Sequence, residues 1–426
     1  MMDTSLVLRS IPGPDDILRT VLPNGIVILC RHNPASPSVV LSGYFQAGSL
    51  FEQEDKLGLA NFTASALLRG TRKRDFQSIF NELESCGASL SFHAGVHTSG
   101  FGGRALAEDL PLLLDIMSDA LRFPTFPPEY VEKLRAQLLT GLAIRAQDTA
   151  DMACLTFDQI LYADHPYRHP EGGWPETIQA IRRDDLAHFH QMNYGPRGLV
   201  LALVGAIEAR KAAELVRQML GDWQNPLQRE LGDLPPLKPL KRTARRQIRI
   251  SGKSQSDIVM GSTGPRRKDP DYYSASLANS ILGEFGMMGR IGDSVREKEG
   301  LAYYAFSSLS AGVGPGSWTV HAGVNPANVE KAARLVKKEI TRFVEEGVTQ
   351  EELGDNQANY IGRMPLSLES NAGVANSLLN IERYDLGLDY LHRYPQLVGA
   401  VTTESIRQVA EKYLDVKRLA FAVAGP

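Results

Sequence analysis

Residues 180–205 and 400–425 follow one plan at a constant offset of 220 with no gap. Each segment opens on a small and a β-branched residue, Ala180-Ile181 or Ala400-Val401, and passes through a polar helix start, Asp184-Asp185 or Thr402-Thr403-Glu404. An amphipathic stretch follows, bearing Leu186 and Phe189 in one copy and Ile406 and Val409 in the other. After a short turn with Arg197 or Lys417, each copy closes on an apolar run ending in glycine, Leu199 to Val204 before Gly205 and Leu419 to Val423 before Gly425. A chain that repeats a helix and a buried strand in this order is constrained to be a duplication. Its 426 residues also exceed what one ordinary hydrophobic core organises.

Between the copies, Asp222 to Arg246 interleaves Pro226, Pro235, Pro236 and Pro239 with Lys238, Lys241, Arg242, Arg245 and Arg246. This composition predicts an extended, solvated connector. The domains are therefore expected at 1–221 and 247–426, with a linker at 222–246. Strands are predicted at Ile26 to Leu29 after the turn Pro23-Asn24-Gly25, at Val39 to Phe45 and at Leu90 to Phe92. In the second half they are predicted at Ile248 to Ile250, Tyr304 to Leu309 and Trp318 to Ala322. Leu110 to Leu121, with Pro111 in its first turn, and Val329 to Val344 have helical periodicity. The latter closes on Gly347, and Thr349-x-x-Glu352 forms a capping box for the next helix. Strands mixed with long helices without strict βαβ alternation predict an α+β class: two homologous domains, each a largely antiparallel sheet packed with helices.

A net charge of -3 argues against a nucleic-acid surface. No apolar run approaches the roughly 20 residues that cross a bilayer, and Met1-Met2-Asp3-Thr4-Ser5 lacks the basic start and apolar core of a signal peptide. A soluble protein is expected, with the cytoplasm favoured over the periplasm. Cys30, Cys86 and Cys154 are widely spaced and form no CxxC, so each reads as a buried small hydrophobe in a reducing compartment.

Residues 58–71 read Gly58-Leu59-Ala60-Asn61-Phe62-Thr63-Ala64-Ser65-Ala66-Leu67-Leu68-Arg69-Gly70-Thr71. The segment resembles the zinc-binding helix of the pitrilysin-type metallopeptidases, G-L-A-H-F-x-E-H-x-x-x-x-G-T, with Asn61, Ala64 and Ser65 in place of the two histidines and the glutamate. An alanine cannot be a general base, and an amide or a hydroxyl is not a usual zinc ligand. The family's third ligand, a glutamate about 76 residues further on, falls near Thr140 to Leu142, and no Asp or Glu occurs between Lys133 and Gln147. Outside these positions the likeness covers nearly the whole chain. It includes Leu22-Pro23-Asn24-Gly25, Cys86-Gly87-Ala88, Phe123-Pro124, His165-Pro166-Tyr167, Tyr194-x-Pro196 and Val204-Gly205.

The second half contains Gly283-Glu284-Phe285-Gly286-Met287-Met288-Gly289-Arg290-Ile291 and Arg296-Glu297-Lys298-Glu299-Gly300-Leu301-Ala302-Tyr303. These are similar to the family's glycine-rich turn and its R-E-K-x-G-L-A-Y phrase. An isolated R-x6-Y would be a surface helix charge and a half-buried strand residue. Within the full phrase, the resemblance implies that Arg296 and Tyr303, with Gly286 and Gly289 in the turn, contact a peptide substrate. A guanidinium and a phenol can both donate hydrogen bonds to a peptide carbonyl.

The resemblance implies a non-catalytic, substrate-binding subunit of a heterodimeric, processing-peptidase-like enzyme. It would hold no metal itself, and its partner would be a homologous subunit carrying H-x-x-E-H and zinc. The substrates would be peptides or unfolded segments, and the alternative is a structural subunit of a larger complex without peptidase activity. A replacement metal site is not expected. His93 and His97 lie in a strand and turn, His165 and His169 in a proline-bounded loop, and His188 and His190 are two apart, so helical i,i+4 geometry applies to none. No G-x-S-x-G is present, and nothing ties Cys154 to a particular histidine.

Overall fold

The computed structural model describes residues 11–285 and 289–426. Two compact units result: residues up to Leu142 with Pro170–Asp233 and Met364–Arg393, and Ala143–His169 with Leu234–Arg363 and Tyr394–Pro426. The first contains strands β1 (Ile17–Val21), β2 (Val27–His32), β3 (Ser38–Phe45), β4 (Ser89–Ala94), β5 (Ser99–Leu106) and β6 (Val200–Gly205), in the order β1-β2-β6-β3-β5-β4. The second contains β7 (Ala244–Arg249), β8 (Ser256–Gly264), β9 (Ala302–Ser310), β10 (Gly316–Val324) and β11 (Ala420–Gly425), in the order β7-β11-β8-β10-β9. The β2/β6 and β7/β11 pairs are parallel and the other neighbours antiparallel. The second sheet thus repeats the first without its β1 edge, as the duplication at offset 220 requires.

Alternation along the strands explains why each sheet has two different faces. In β3 the side chains of Val39, Leu41 and Phe45 are fully buried in the first core, with Ala105 and Phe101 of β5 beside them. The helices Leu59–Ala66, Leu110–Arg122, Arg183–Asn193 and Ala209–Leu220 contribute Phe62, Leu113, Leu186 and Val216 to the same cluster. Each large apolar side chain sealed there contributes about 2 kcal/mol of transfer free energy. The second core is assembled in the same way from Tyr272–Gly283, Val329–Glu346 and Thr403–Tyr413 against Ile258, Met260 and Phe421.

The opposite face of each sheet is covered by a helix from the other half of the chain. Thr149–Leu161 turns Ala153, Phe157, Ile160 and Leu161 onto Val259, Ala420, Ala422 and Ala424 of the second sheet. Asn371–Arg383 packs over β6 and β3 of the first sheet. Each compact unit is therefore discontinuous in sequence, whereas the sequence pattern predicts contiguous domains at 1–221 and 247–426.

From Arg229 to Thr243 the connector has no helix or strand and no buried residue, and its two ends are anchored. Trp223 is buried, Gln228 exchanges two hydrogen bonds with the main chain of Arg197, and residues from Ala244 onward already form β7. Of the cysteines, Cys30 is buried, but Cys86 and Cys154 are only half-buried. Among the described residues no helix is long and apolar enough to cross a membrane.

Candidate active-site surfaces

The segment aligned with a zinc-binding helix does form a helix, Leu59–Ala66. Its N-cap Gly58 has φ +93°, and a Cβ there would meet Ile178 Cδ1 at 2.6 Å, so glycine is required on both counts. Glu52 caps the helix from outside its sequence, accepting from Gly58 N at 2.9 Å and Ala60 N at 2.7 Å. Burial pushes the Glu52 carboxyl up to about 8 despite those two bonds, and Glu171 nearby adds to the rise. On the helix itself Asn61 and Ser65 are half-buried and Ala64 is 1% exposed. In the Pro128–Arg145 helix, Thr140 is exposed and its hydroxyl bonds back to Ala136 O at 2.9 Å.

These residues do not fit zinc. A methyl group occupies the position of the base, neither flanking side chain is a usual ligand, and no carboxylate arises from the helix stretch between Lys133 and Gln147. Among the described residues no group of three or more His, Cys, Asp or Glu converges in metal-binding geometry. The histidine pairs are separately engaged. His93 lies over Gly100, His165 Nδ1 accepts from Tyr167 N at 3.2 Å, and His190 Nε2 pairs with Leu121 O at 2.8 Å. Burial pushes the His190 imidazole down to about 4, leaving it neutral.

In the second unit the glycine-rich turn leads into a short helix, Gly289–Gly292, and a turn of π-helix, Asp293–Lys298. Gly286 lies outside the described residues. Gly289 has φ +63°, and a Cβ would meet Ile281 O at 2.6 Å and Gly283 N at 2.7 Å, so the chain doubles back there against the end of Tyr272–Gly283. Arg290 fixes this turn through Glu352, with Nε to Oε1 at 2.8 Å and Nη2 to Oε2 at 2.7 Å, and donates to Gly347 O at 3.0 Å.

Arg296 sits in the π-helical turn with 36% of its side chain exposed, its Nε meeting Glu297 Oε1 at 3.5 Å. The turn closes with Gly300 N to Arg296 O at 3.0 Å and Leu301 N to Val295 O at 3.1 Å, and the chain enters β9, the edge strand of its sheet. There the register shifts: Tyr304 opposes Gly323 and Ala302 opposes Val324, leaving Tyr303 as the extra residue of a β-bulge. The bulge turns Tyr303 out of the ladder, with 69% of it exposed. The motif spacing singles out both residues, but the bulge at Tyr303 and the π-turn at Arg296 leave no mark in hydrophobic periodicity.

Sequence reasoning passed over Glu52 and Asp257. The signal for the first was a carboxylate six residues before Gly58-Leu59-Ala60; for the second, a charge beginning the apolar run Ile258-Val259-Met260.

The duplicated sheet-and-helix plan, with one copy holding a ligand-free version of a metal-binding helix, defines a metallopeptidase-like protein. A family model described as "Insulinase (Peptidase family M16)" matches residues 27–160, and one described as "Peptidase M16 inactive domain" matches residues 180–360. An uncharacterized zinc protease of Streptomyces coelicolor is 26% identical over 437 residues, covering 99% of this chain and 92% of that protein. One from Mycobacterium leprae is 27% identical over 418 residues, covering 96% and 92%. A crystal structure of a peptidase M16 inactive domain from Pseudomonas fluorescens superposes with a TM-score of 0.89 at 26% identity, covering 96% of this chain and 98% of that one. A protease from Helicobacter pylori shares the fold, with a TM-score of 0.89 at 17% identity over 98% and 100% of the two chains. The chain belongs to peptidase family M16.

Proposed function

We propose that this chain is the non-catalytic, substrate-binding member of a two-subunit peptidase whose other subunit is a homologue carrying H-x-x-E-H and zinc. The observation that carries the reading is Tyr303, held out of the β9 ladder by a bulge and joined through a tight turn to the partly exposed Arg296. In this role both side chains donate hydrogen bonds to the carbonyl oxygen of the peptide bond being cleaved and stabilise the charge that develops on it. Gly289, whose positive φ and close approach to Ile281 O admit no side chain, sets the entry to the helix that precedes Arg296. The residues of Leu59–Ala66 supply neither ligands nor a base, so the chemistry of water activation falls to the partner.

The test is reconstitution. The purified chain is mixed with an M16 subunit that carries H-x-x-E-H, from the same source, and cleavage of a quenched peptide is followed. Cleavage is expected only from the mixture, with Arg296→Ala and Tyr303→Phe each lowering kcat about 10²-fold, the scale of losing one transition-state donor. Full activity in both variants removes the assigned roles. A stable complex that cleaves no peptide points instead to a structural subunit, and stoichiometric zinc in the isolated chain overturns the division of labour.

A further inference from the structure

A cavity of about 470 Å³ opens on the face of the first sheet that the Asn371–Arg383 helix only partly covers. Val40 and Leu106 provide an apolar floor, Cys86 a wall, and Arg104 and Glu369 line it with opposite charges. The register pairs Val40 with Arg104 and Ser38 with Leu106, so these side chains share the sheet's non-core face. Neighbouring arginines on that face are engaged. Arg19 meets Glu382 at 2.7 Å, Arg31 meets Asp16 at 2.6 Å, and Arg383 lies 4.2 Å from the centroid of the Tyr44 ring. Arg104 and Glu369, by contrast, make no side-chain hydrogen bond or ion pair with any described residue, nor with each other.

We infer that this cavity binds a short peptide with both termini free, its carboxylate on Arg104 and its ammonium on Glu369. A cavity of this size suits a small ligand. Two unmatched charges of opposite sign select against a phosphate, which Glu369 would repel, and against a simple cation, which Arg104 would repel. Charge-assisted hydrogen bonds at each end set orientation, while Val40 and Leu106 take an apolar side chain. The inference concerns the isolated chain and needs neither a partner nor peptidase activity, so it stands or falls separately from the proposed function.

Cys86 makes the experiment direct, because its half-buried thiol lines the cavity while Cys30 is buried elsewhere in the core. Carboxymethylation of Cys86 is followed by mass spectrometry during titration with dileucine, N-acetyl-dileucine and dileucine amide, and affinities are taken from the protection curves. Dileucine is expected to protect, and to bind at least about tenfold more tightly than either blocked form, the scale of one charged hydrogen bond. Arg104→Gln should abolish the preference over the amide and leave the preference over the acetylated form; Glu369→Gln should do the reverse. Both residues are exposed, and unchanged unfolding midpoints confirm that each variant folds. Equal binding of all three ligands, no protection by any, or preferences that survive both substitutions overturn the inference.

Discussion

The non-core faces of the two sheets are built on equivalent strands and have opposite fates. On the first, among the described residues, the position of a Cβ on Gly102 has nothing within 4 Å and Arg104 has no partner, and a cavity remains beside the covering helix. On the second, the corresponding space is filled. Asp257, 1% exposed, accepts hydrogen bonds from Tyr304, Thr149 and Gln255, joining β9 and β8 to the start of Thr149–Leu161. Phe306 stacks on His321 at 4.9 Å and 7°, and His321 pairs with Thr319 at 2.9 Å. Burial pushes the Cys154 thiol up to about 11 and holds the His321 imidazole below its usual range, so the 3.9 Å contact between them joins two neutral groups. The lesson is that backbone plan decides where a face lies, and the alternate side chains of two or three strands decide whether it is surface or seal.

The most severe way to break the comparison is to remove Asp257. Asp257→Ala strands three half-buried donors and leaves a gap at a buried position, and should cost about 2–4 kcal/mol in urea unfolding, whereas Arg104→Gln should change stability by less than about 0.5 kcal/mol. Similar losses in the two variants would show that the faces do not differ as described.

Space itself can be probed next. A Cβ on Gly323 would meet Tyr304 Cε1 at 2.5 Å and Gln255 Nε2 at 2.7 Å. Gly323→Ala is therefore expected to lower stability by about 1–3 kcal/mol through overpacking, and Gly102→Ala to be neutral or slightly stabilising. Matched thermal unfolding of the pair measures the difference in packing directly.

A pH titration separates two carboxylates at the starts of equivalent helices. Glu52 titrates near 8 in the folded chain, above its ordinary 4.5, so its contribution favours the folded state most at low pH and is lost as pH rises from about 4.5 to about 8. Asp271, held below its ordinary 3.8 chiefly by the hydrogen bond from Lys412, stabilises above that value and loses its contribution as pH falls through its depressed one. Glu52→Gln should flatten the stability profile between pH 5 and 8 and Asp271→Asn only its acid limb. A neutral-range slope unchanged by Glu52→Gln would place that carboxyl in water.

Much of this molecule is legible in its sequence where local patterning governs. The duplication fixed equivalent strands at β6 and β11, and the periodic stretches at Leu110 and Val329 became the helices Leu110–Arg122 and Val329–Glu346. The lost zinc positions and the Arg296 and Tyr303 spacing were visible as motifs. What escaped depends on partners distant along the chain. Asn371–Arg383 reads as one more amphipathic helix, and nothing local says that its apolar side belongs to the first sheet. The bulge at Tyr303 exists only relative to β10, and Arg104 acquires its setting from a segment more than 260 residues away. The pairing of Asp257 with Thr149 is hidden for the same reason.

The exchange of covering helices has a consequence for how the protein is made. When a ribosome has delivered the chain as far as the connector, β1 to β6 are all available, yet the Asn371–Arg383 helix that shields their second face has not been synthesised. Meanwhile Thr149–Leu161 has emerged with its apolar stripe and no sheet to receive it. Two sticky surfaces must therefore wait through roughly half of translation. Neither half, produced alone, carries the helix that covers the second face of its own sheet.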